Sequence, residues 1–512
     1  MRQTDFNIVN QVLLSPENAL VLVGTALDGP SQIPFSIPSS ASPYDLLGAC
    51  PLADAYTAAK RAGVGTIVMY RLNGVHSIAQ VKDRDGKVII ELRSVSASDK
   101  YNQIQVILYP THLHVINTDG VARSYFFEQY PRVTDLVYAI NRDSFYGLIE
   151  FTADALEPYF SLENSVDAPT EVLFKGGEAE AHLIHSRDPL SESPTIDVAI
   201  TPVLKERLQQ ALFGENSDDI NERVPNSSLG VLHFGVIALC DMYHDDVETD
   251  EEGGERNAGF TEILGSFCMN KTKEIGFGCV GVIGTKPIYP EDFVELSDTV
   301  HARAIELASL SESMEDLEAY KYVQVIVGHT EYPESDETSI PLAYGYAATQ
   351  ALLPYYTMMT NKSILGAGKL NFALNKEDIA LLTANGYTCI VPSIRRGLVP
   401  YYASSFSKDK NSLASKPHNL RISQHVSRIL VEEVDGFIGE NYTKLSIKEV
   451  IEKAKGILDG LVVDRVIKSY NISYELLENN TVLNINTSLT PFSEIKSISS
   501  IATISFPQGG VE

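Results

Sequence analysis

Short apolar, β-branched runs recur along this chain at 19–23, 66–71, 278–284 and 322–327, and helix-forming stretches separate them. That alternation leaves few architectures open, because strands spaced by helices bury their faces as the layers of an α/β domain. The first pair shows it most plainly. Residues 19–23 lead into Gly24 and a loop, 27–34, too rich in Gly and Pro for regular structure; a helix over 51–61 and a buried strand over 66–71 follow. The same signals resume from residue 171, with strand-like runs at 172–177 and 230–239 and a helix over 293–307.

Between 75 and 150 the pattern changes to short strands with turns at Asp85-Gly86 and Asp119-Gly120, a strong hairpin signal, ending near a helix over 132–141. This reads as a β-rich insertion. Beyond residue 370 two amphipathic helices are expected. The first, over 420–438, places Ile422, Val426, Ile429, Leu430 and Phe437 at helical spacing. The second starts at a capping box, Ser446 with Glu449, turns Ile447, Val450, Ile451, Ala454 and Leu458 inward, and stops at Gly460. A strand from 470 turns at 478–480, returns over 482–486 and breaks at Pro491. A last segment, 498–506, alternates with a period near two, and almost no charge blunts it as an edge. Such an end is suited either to pairing with another chain or to a final place in its own sheet.

The 512 residues exceed one hydrophobic core, so about three domains are expected. A net charge of −27 argues against a surface that grips nucleic acid or anionic membrane as a whole. The five cysteines, Cys50, Cys240, Cys268, Cys279 and Cys389, are scattered and show no CxxC spacing, which points to a reducing cytoplasm rather than a disulfide framework or zinc site. The N-terminus has no apolar leader and no run of 18 apolar residues occurs, so neither secretion nor membrane insertion is expected.

Motifs for chemistry are weak. Residues 276–281 make a formal GxGxxG, yet strand-like residues follow where a dinucleotide site needs a helix. No GxxxxGK[ST] or GxSxG occurs. His112 and His114 share one strand face without a third ligand, and His182 with His185 stands no better. The run 241–256 holds eight carboxylates against Arg256 and reads as a solvated loop; a metal site through Asp241, His244 and Asp246 lacks the calcium-loop pattern. Against this acidic background Arg395, Arg396, Lys408, Lys410, Lys416, Arg421 and Arg428 face only Asp409, a local excess that fits either an acidic partner, nucleic acid or protein, or a solvated basic loop and helix face. No catalytic residue, cofactor site or metal site is assigned.

Several segments, in order, resemble contractile phage tail sheath proteins. They are 19–30, the Ala-rich helix and Arg-terminated strand of 53–71, Ser98-Asp99-Lys100-Tyr101-Asn102 before 104–109, and 136–141. Phe174-Lys175-Gly176-Gly177 and the helix-to-strand passage 374–391 complete the series. The resemblance implies a non-enzymatic α/β multidomain protein. Its parts would be an N-terminal arm (1–18), an α/β layered domain (19–74 and 171–360) and a β-rich, outward-facing insertion (75–170). An α+β inner domain facing a tube (361–490) and a C-terminal arm (491–512) would follow. It further implies that arms exchanged between subunits complete the inner domain's sheet, through Phe6, Ile8 and Val12 at one end and Ile498, Ala502, Ile504 and Phe506 at the other. Hexameric rings would stack helically around a tail tube protein, with baseplate and tail terminator proteins as further partners, assembled in the host cytoplasm into the virion tail. The basic segment would meet the tube. Direct nucleic-acid contact and membrane insertion are not implied. A nicotinamide-dependent enzyme and a nucleic-acid-binding scaffold are the competing classes.

Overall fold

The computed structural model describes residues 7–8, 18–146, 148–162, 168–180, 200–214, 227–250, 253–275, 278–287, 296–331, 340–409, 415–434, 444–477 and 482–492. The chain forms two compact units, Met1–His425 and Val426–Glu512.

The first unit opens with β1 (Asn7–Ile8), β2 (Ala19–Gly24), β3 (Pro34–Ser36), α1 (Pro43–Leu47), α2 (Pro51–Ala62) and β4 (Thr66–Arg71). Helix α2 forms where Pro51 supplies a preset first turn and Cys50 Sγ accepts from Ala53 N–H; Gly63, at φ 95°, ends it in the left-handed conformation a side chain would resist. Its Ala53, Ala55, Ala58 and Ala59 are fully buried, so the helix sits close on the sheet.

The insertion follows as β5 (Ile78–Lys82), β6 (Val88–Ser94), β7 (Gln105–Leu108), β8 (His112–Ile116), β9 (Ala122–Phe126), α3 (Val133–Phe145), β10 (Phe151–Ala155) and β11 (Thr170–Leu173). These build a three-stranded sheet, β10-β6-β5, and a four-stranded one, β11-β7-β8-β9. Gly86 and Gly120 turn the two expected hairpins at φ 82° and 76°. A separate apolar core fills the insertion, including Val81, Leu92, Val106, Leu113, Val115, Leu136, Ile140 and Phe151. The residues near 172–177 correct the sequence reading. They belong to this insertion, because β11 pairs with β7 and Phe174 enters the insertion core.

The chain then runs through α4 (Ile200–Phe213), β12 (Val236–Tyr243), β13 (Val247–Thr249), β14 (Glu255–Asn257), α5 (Phe260–Asn270), β15 (Val280–Gly284), α6 (Leu296–Ser313) and β16 (Val323–Val327). After these come β17 (His329–Glu331), β18 (Ile340–Pro341), α7 (Leu342–Leu352), β19 (Lys369–Leu370), α8 (Lys376–Ala384), β20 (Thr388–Ser393), β21 (Gly397–Pro400) and α9 (Pro417–Val434). Among the described residues the large sheet has the order β1-β3-β4-β2-β12-β15-β16-β20-β21. Its six central strands, β4 to β20 in that order, are parallel, and antiparallel strands close both edges.

Both faces are covered, as a parallel sheet requires. Leu204, Leu208, Phe260, Leu264, Phe267 and Leu307 from α4, α5 and α6 pack one face; Leu52, Tyr56, Tyr346 and Ala347 from α2 and α7 pack the other. The boundary expected at 360/361 falls inside this sheet, since β20 and β21 extend it. The strand expected over 230–239 starts later, at Val236, because 227–230 form a turn closed by Ser227 Oγ.

The second unit contains α10 (Lys444–Val463), β22 (Ile467–Leu477) and β23 (Val482–Pro491). Ile447, Val450, Ile451, Ala454 and Leu458 are buried as their spacing predicts. The helix nonetheless begins two residues before Ser446 and passes Gly460 to Val463, so neither the capping box nor that glycine marks an end. Strands β22 and β23 pair antiparallel from Ile467↔Pro491 to Leu477↔Val482, and among the described residues no third strand joins them. Phe437, the turn 478–480 and the segment 498–506 lie outside the described residues.

Candidate functional site

In an open parallel sheet the ligand crevice lies beyond the strand C-termini where strand order reverses. Here that place is between β2 and β12, and side chains fill it. Thr25 Oγ1 donates to Asp241 Oδ2 at 2.8 Å, and Asp241 N–H donates to the Tyr344 hydroxyl at 3.3 Å. Gly24 lies so close to β12 that a Cβ there would sit 2.6 Å from Cys240 Cβ.

Beside the crevice, the chain leaves for the insertion and returns. Arg71, at the end of β4, is fully buried and its fork gathers the crossing segments. Nε donates to Asn73 Oδ1 at 3.1 Å; one terminal nitrogen donates to Gly29 O at 2.8 Å and Ala97 O at 2.9 Å, the other to Ala179 O at 2.7 Å. Burial lowers its pKa to about 10, with Asp28 opposing, so it stays cationic at neutral pH. Lys100 pairs with Asp28 at 2.6 Å. Asn102 bonds both backbone groups of Gly177, accepting from its N–H at 3.0 Å and donating to its O at 3.1 Å. A Cβ at Gly177 would lie 2.0 Å from Ser77 Oγ and 2.5 Å from Ser98 O. Gly177→Ala should therefore cost about 1–3 kcal/mol through overpacking, seen as a lower urea midpoint at unchanged slope; an unaltered midpoint would mean the junction yields freely.

The acidic run corrects the sequence reading most. Asp241, Asp245, Asp246 and Glu248 are buried rather than solvated. Lys205 and Arg256 reach Glu248 at 2.7 and 2.9 Å, Lys286 reaches Asp246 at 3.3 Å, and Arg303 pairs with Asp245. Most of these cations stand on elements distant in sequence, which is why local composition misleads. His244 is fully buried between Thr261 Oγ1 at 2.8 Å and the Tyr387 hydroxyl at 3.0 Å, and burial drops its pKa to about 3. Asp241 and His244 thus face different partners, and among the described residues no cluster has metal-holding geometry.

In the GxGxxG run, Gly276 and Phe277 lie outside the described residues and Gly278-Cys279 lead into buried β15 rather than a helix. A Cβ at Gly278 would meet Gln424, and one at Gly281 would meet Leu264, so these glycines permit close packing. His112 stacks on Tyr109 with ring centroids 4.5 Å apart, and His114 bonds Ser124 Oγ at 2.8 Å. His182 and His185 lie outside the described residues.

The basic segment does not form the single patch its composition suggests. Arg395 and Arg396 are exposed at the tip of the β20–β21 hairpin, where Arg396 donates to Asn361 O at 2.7 Å. Lys408 is exposed at the end of α6 and donates to Glu312 O at 3.2 Å. Lys416 donates to the Tyr402 hydroxyl at 3.0 Å. Arg421 is a core residue, only 4% exposed, on the same buried helical face as Gln424; it donates to Leu353 O at 3.3 Å, and burial lowers its pKa to about 10. Arg428 lies in the second unit, paired with Glu432 at 2.9 Å. Lys410 is outside the described residues.

Of the arm residues, Ile8 stands opposite Phe35 of its own chain at the edge of the large sheet. Phe6, Val12, Ile498, Ala502, Ile504 and Phe506 lie outside the described residues. The β22–β23 ribbon leaves the outer edge of each strand unpaired among the described residues, with Tyr474 half exposed.

The fold resembles that of a solved sheath tail protein. A sheath tail protein of Listeria innocua superposes with a TM-score of 0.52 at 14% identity, covering 94% of this chain and 93% of that chain. A sheath tail protein of Desulfitobacterium hafniense gives 0.46 at 11% identity over 95% of this chain and 99% of that one. The contracted helical sheath of the anti-feeding prophage gives 0.37 at 15% identity over 60% and 82%. No protein-family profile matches the chain, and no curated relative does.

Proposed function

We propose that the chain is the structural subunit of a contractile tail sheath. It polymerises as stacked hexameric rings around a tail tube and contracts to drive that tube through the host envelope for genome delivery. The fold shared with the Listeria sheath tail protein, over nearly the full length of both chains, carries this reading. A phage-tail-like bacteriocin or injection particle would use the same subunit.

The open strands support it. A ribbon whose outer edges are unpaired among the described residues and a two-residue edge strand are suited to strand addition between copies. Repeated head-to-tail, such contacts do not close and grow a helical lattice. Contraction would then release conformational free energy held in the extended lattice, with the exchanged arms keeping subunits linked. In this reading the insertion faces outward. Arg395, Arg396 and Lys408 are the foremost candidates for meeting an acidic tube surface, and Lys410, Lys416 and Arg428 are further ones. Baseplate and terminator proteins cap the lattice, which assembles in the host cytoplasm as part of the particle.

The test is negative-stain electron microscopy of the full chain beside a variant truncated after Thr490. Striated tubes from the first and dispersed particles from the second support the reading. Dispersed monomers from both remove it, and cofactor and nucleic-acid binding become the next measurements.

A further inference from the structure

All five cysteines are buried, and the sulfurs of two of them touch. Cys268 Sγ and Cys279 Sγ lie 3.6 Å apart, one near the end of α5 and the other one residue before β15. The two backbones are pinned. Cys268 O accepts from Thr272 Oγ1 at 2.7 Å and Cys279 O from Gln424 Nε2 at 3.0 Å, which holds the two sulfurs against each other. We propose that Cys268 and Cys279 are an oxidation site, forming a reversible disulfide that staples α5 to β15 when the protein meets hydrogen peroxide.

The chemistry balances in two steps. One thiolate attacks a peroxide oxygen, giving a sulfenic acid and, with the released proton, one water. The second sulfur attacks that sulfenic sulfur and expels another water, so two thiols and one peroxide give one disulfide and two waters. The thiolate is the reactive form, and burial holds the Cys268 thiol well above its ordinary value while the nearby Lys271 ammonium opposes that. With both thiols fully buried, the oxidant reaches them only through local opening of the fold. A reducing cytoplasm keeps the pair open and an oxidising medium closes it. The site is independent of the sheath reading.

The full-length protein is incubated with hydrogen peroxide under native conditions, denatured and alkylated with iodoacetamide, and its peptides are mapped by mass spectrometry. The expected result is loss of two of the five alkylatable thiols, a cross-linked peptide joining 268 and 279, and reversal by dithiothreitol. Cys268→Ser should leave Cys279 as a sulfenic acid that dimedone traps; if that variant misfolds, the wild-type peptide map still decides. Five alkylated thiols, a different pairing, or sulfonic acid without a cross-link would overturn the assignment.

Discussion

Arg71→Met should destabilise the first unit by about 2–4 kcal/mol, from charge-assisted hydrogen bonds lost to backbone carbonyls. The magnitude follows from what is left behind. Methionine refills much of the volume, but buried Ala97 O loses its donor, costing about 1–3 kcal/mol before relaxation, while Gly29 O keeps only Ala97 N–H and Ala179 O only Asn73 Nδ2. Replacing a buried charge by an apolar side chain is neutral only when its partners are replaced too, and backbone carbonyls cannot be. Arg71→Lys should recover less than half, because one ammonium cannot span acceptors that a planar fork reaches on two sides. Urea unfolding gives the energy. Limited proteolysis gives the location, with new cuts expected near Ala97 and Ala179, where the chain enters and leaves the insertion. A loss under about 1 kcal/mol with an unchanged digestion pattern would show that the junction is held by packing instead.

That junction also shows what the sequence makes legible. The segments around Asp28-Gly29, Arg71, Ser98 to Asn102 and Gly176-Gly177 stand apart in the chain, and each is only a weak motif. The fold brings them together: Arg71 bonds Gly29 and Ala97, Lys100 bonds Asp28, and Asn102 bonds Gly177. The α/β layer is legible because its buried strands are continuous apolar runs, and β4 runs from Thr66 to Arg71 as expected. The limits of the layer are less so. Residues 172–177 have the same β-branched character whether they extend the large sheet or return along the insertion, and only their pairing with β7 decides. The boundary at 360 fails for the same reason, since β20 finds its neighbour β16 across more than sixty residues.

Charge is harder to read than apolarity because its meaning depends on partners remote in sequence. Asp245, Asp246 and Glu248 look like a solvated run until Arg303, Lys286 and Lys205 are placed beside them. Arg421 looks like a surface cation until α9 turns it inward with Gln424. Its neighbours Leu420 and Ile422 do signal a buried stretch. For the open strands the sequence is informative about pattern, as in the long β22–β23 pairing, and silent about which chain completes them.

Lys271 offers the second large effect, and its sign is set by burial. The side chain is fully buried, donates to Gly230 O and Leu232 O, lies 4.9 Å from the Phe234 ring centroid, and has its pKa lowered from 10.5 to about 8. Between those two values the unfolded chain holds a proton that the folded chain has released. Stability therefore rises with pH through this window by about 1.4 kcal/mol per unit, or about 3 kcal/mol in all. Other groups pull the opposite way. Cys389 is pushed up to about 12, as are Tyr70 and Tyr322, so these keep protons in the fold that the unfolded chain loses, and the raw curve bends down at high pH. The difference between wild type and Lys271→Met cancels those shared contributions. It should be flat below pH 8 and then widen by about 3 kcal/mol in favour of wild type by pH 10.5. Urea unfolding at half-unit intervals measures it. Curves that stay parallel within about 0.5 kcal/mol would mean that Lys271 titrates alike in both states, and that its two carbonyl acceptors with the aromatic faces of Phe234 and Phe267 fully offset the loss of water.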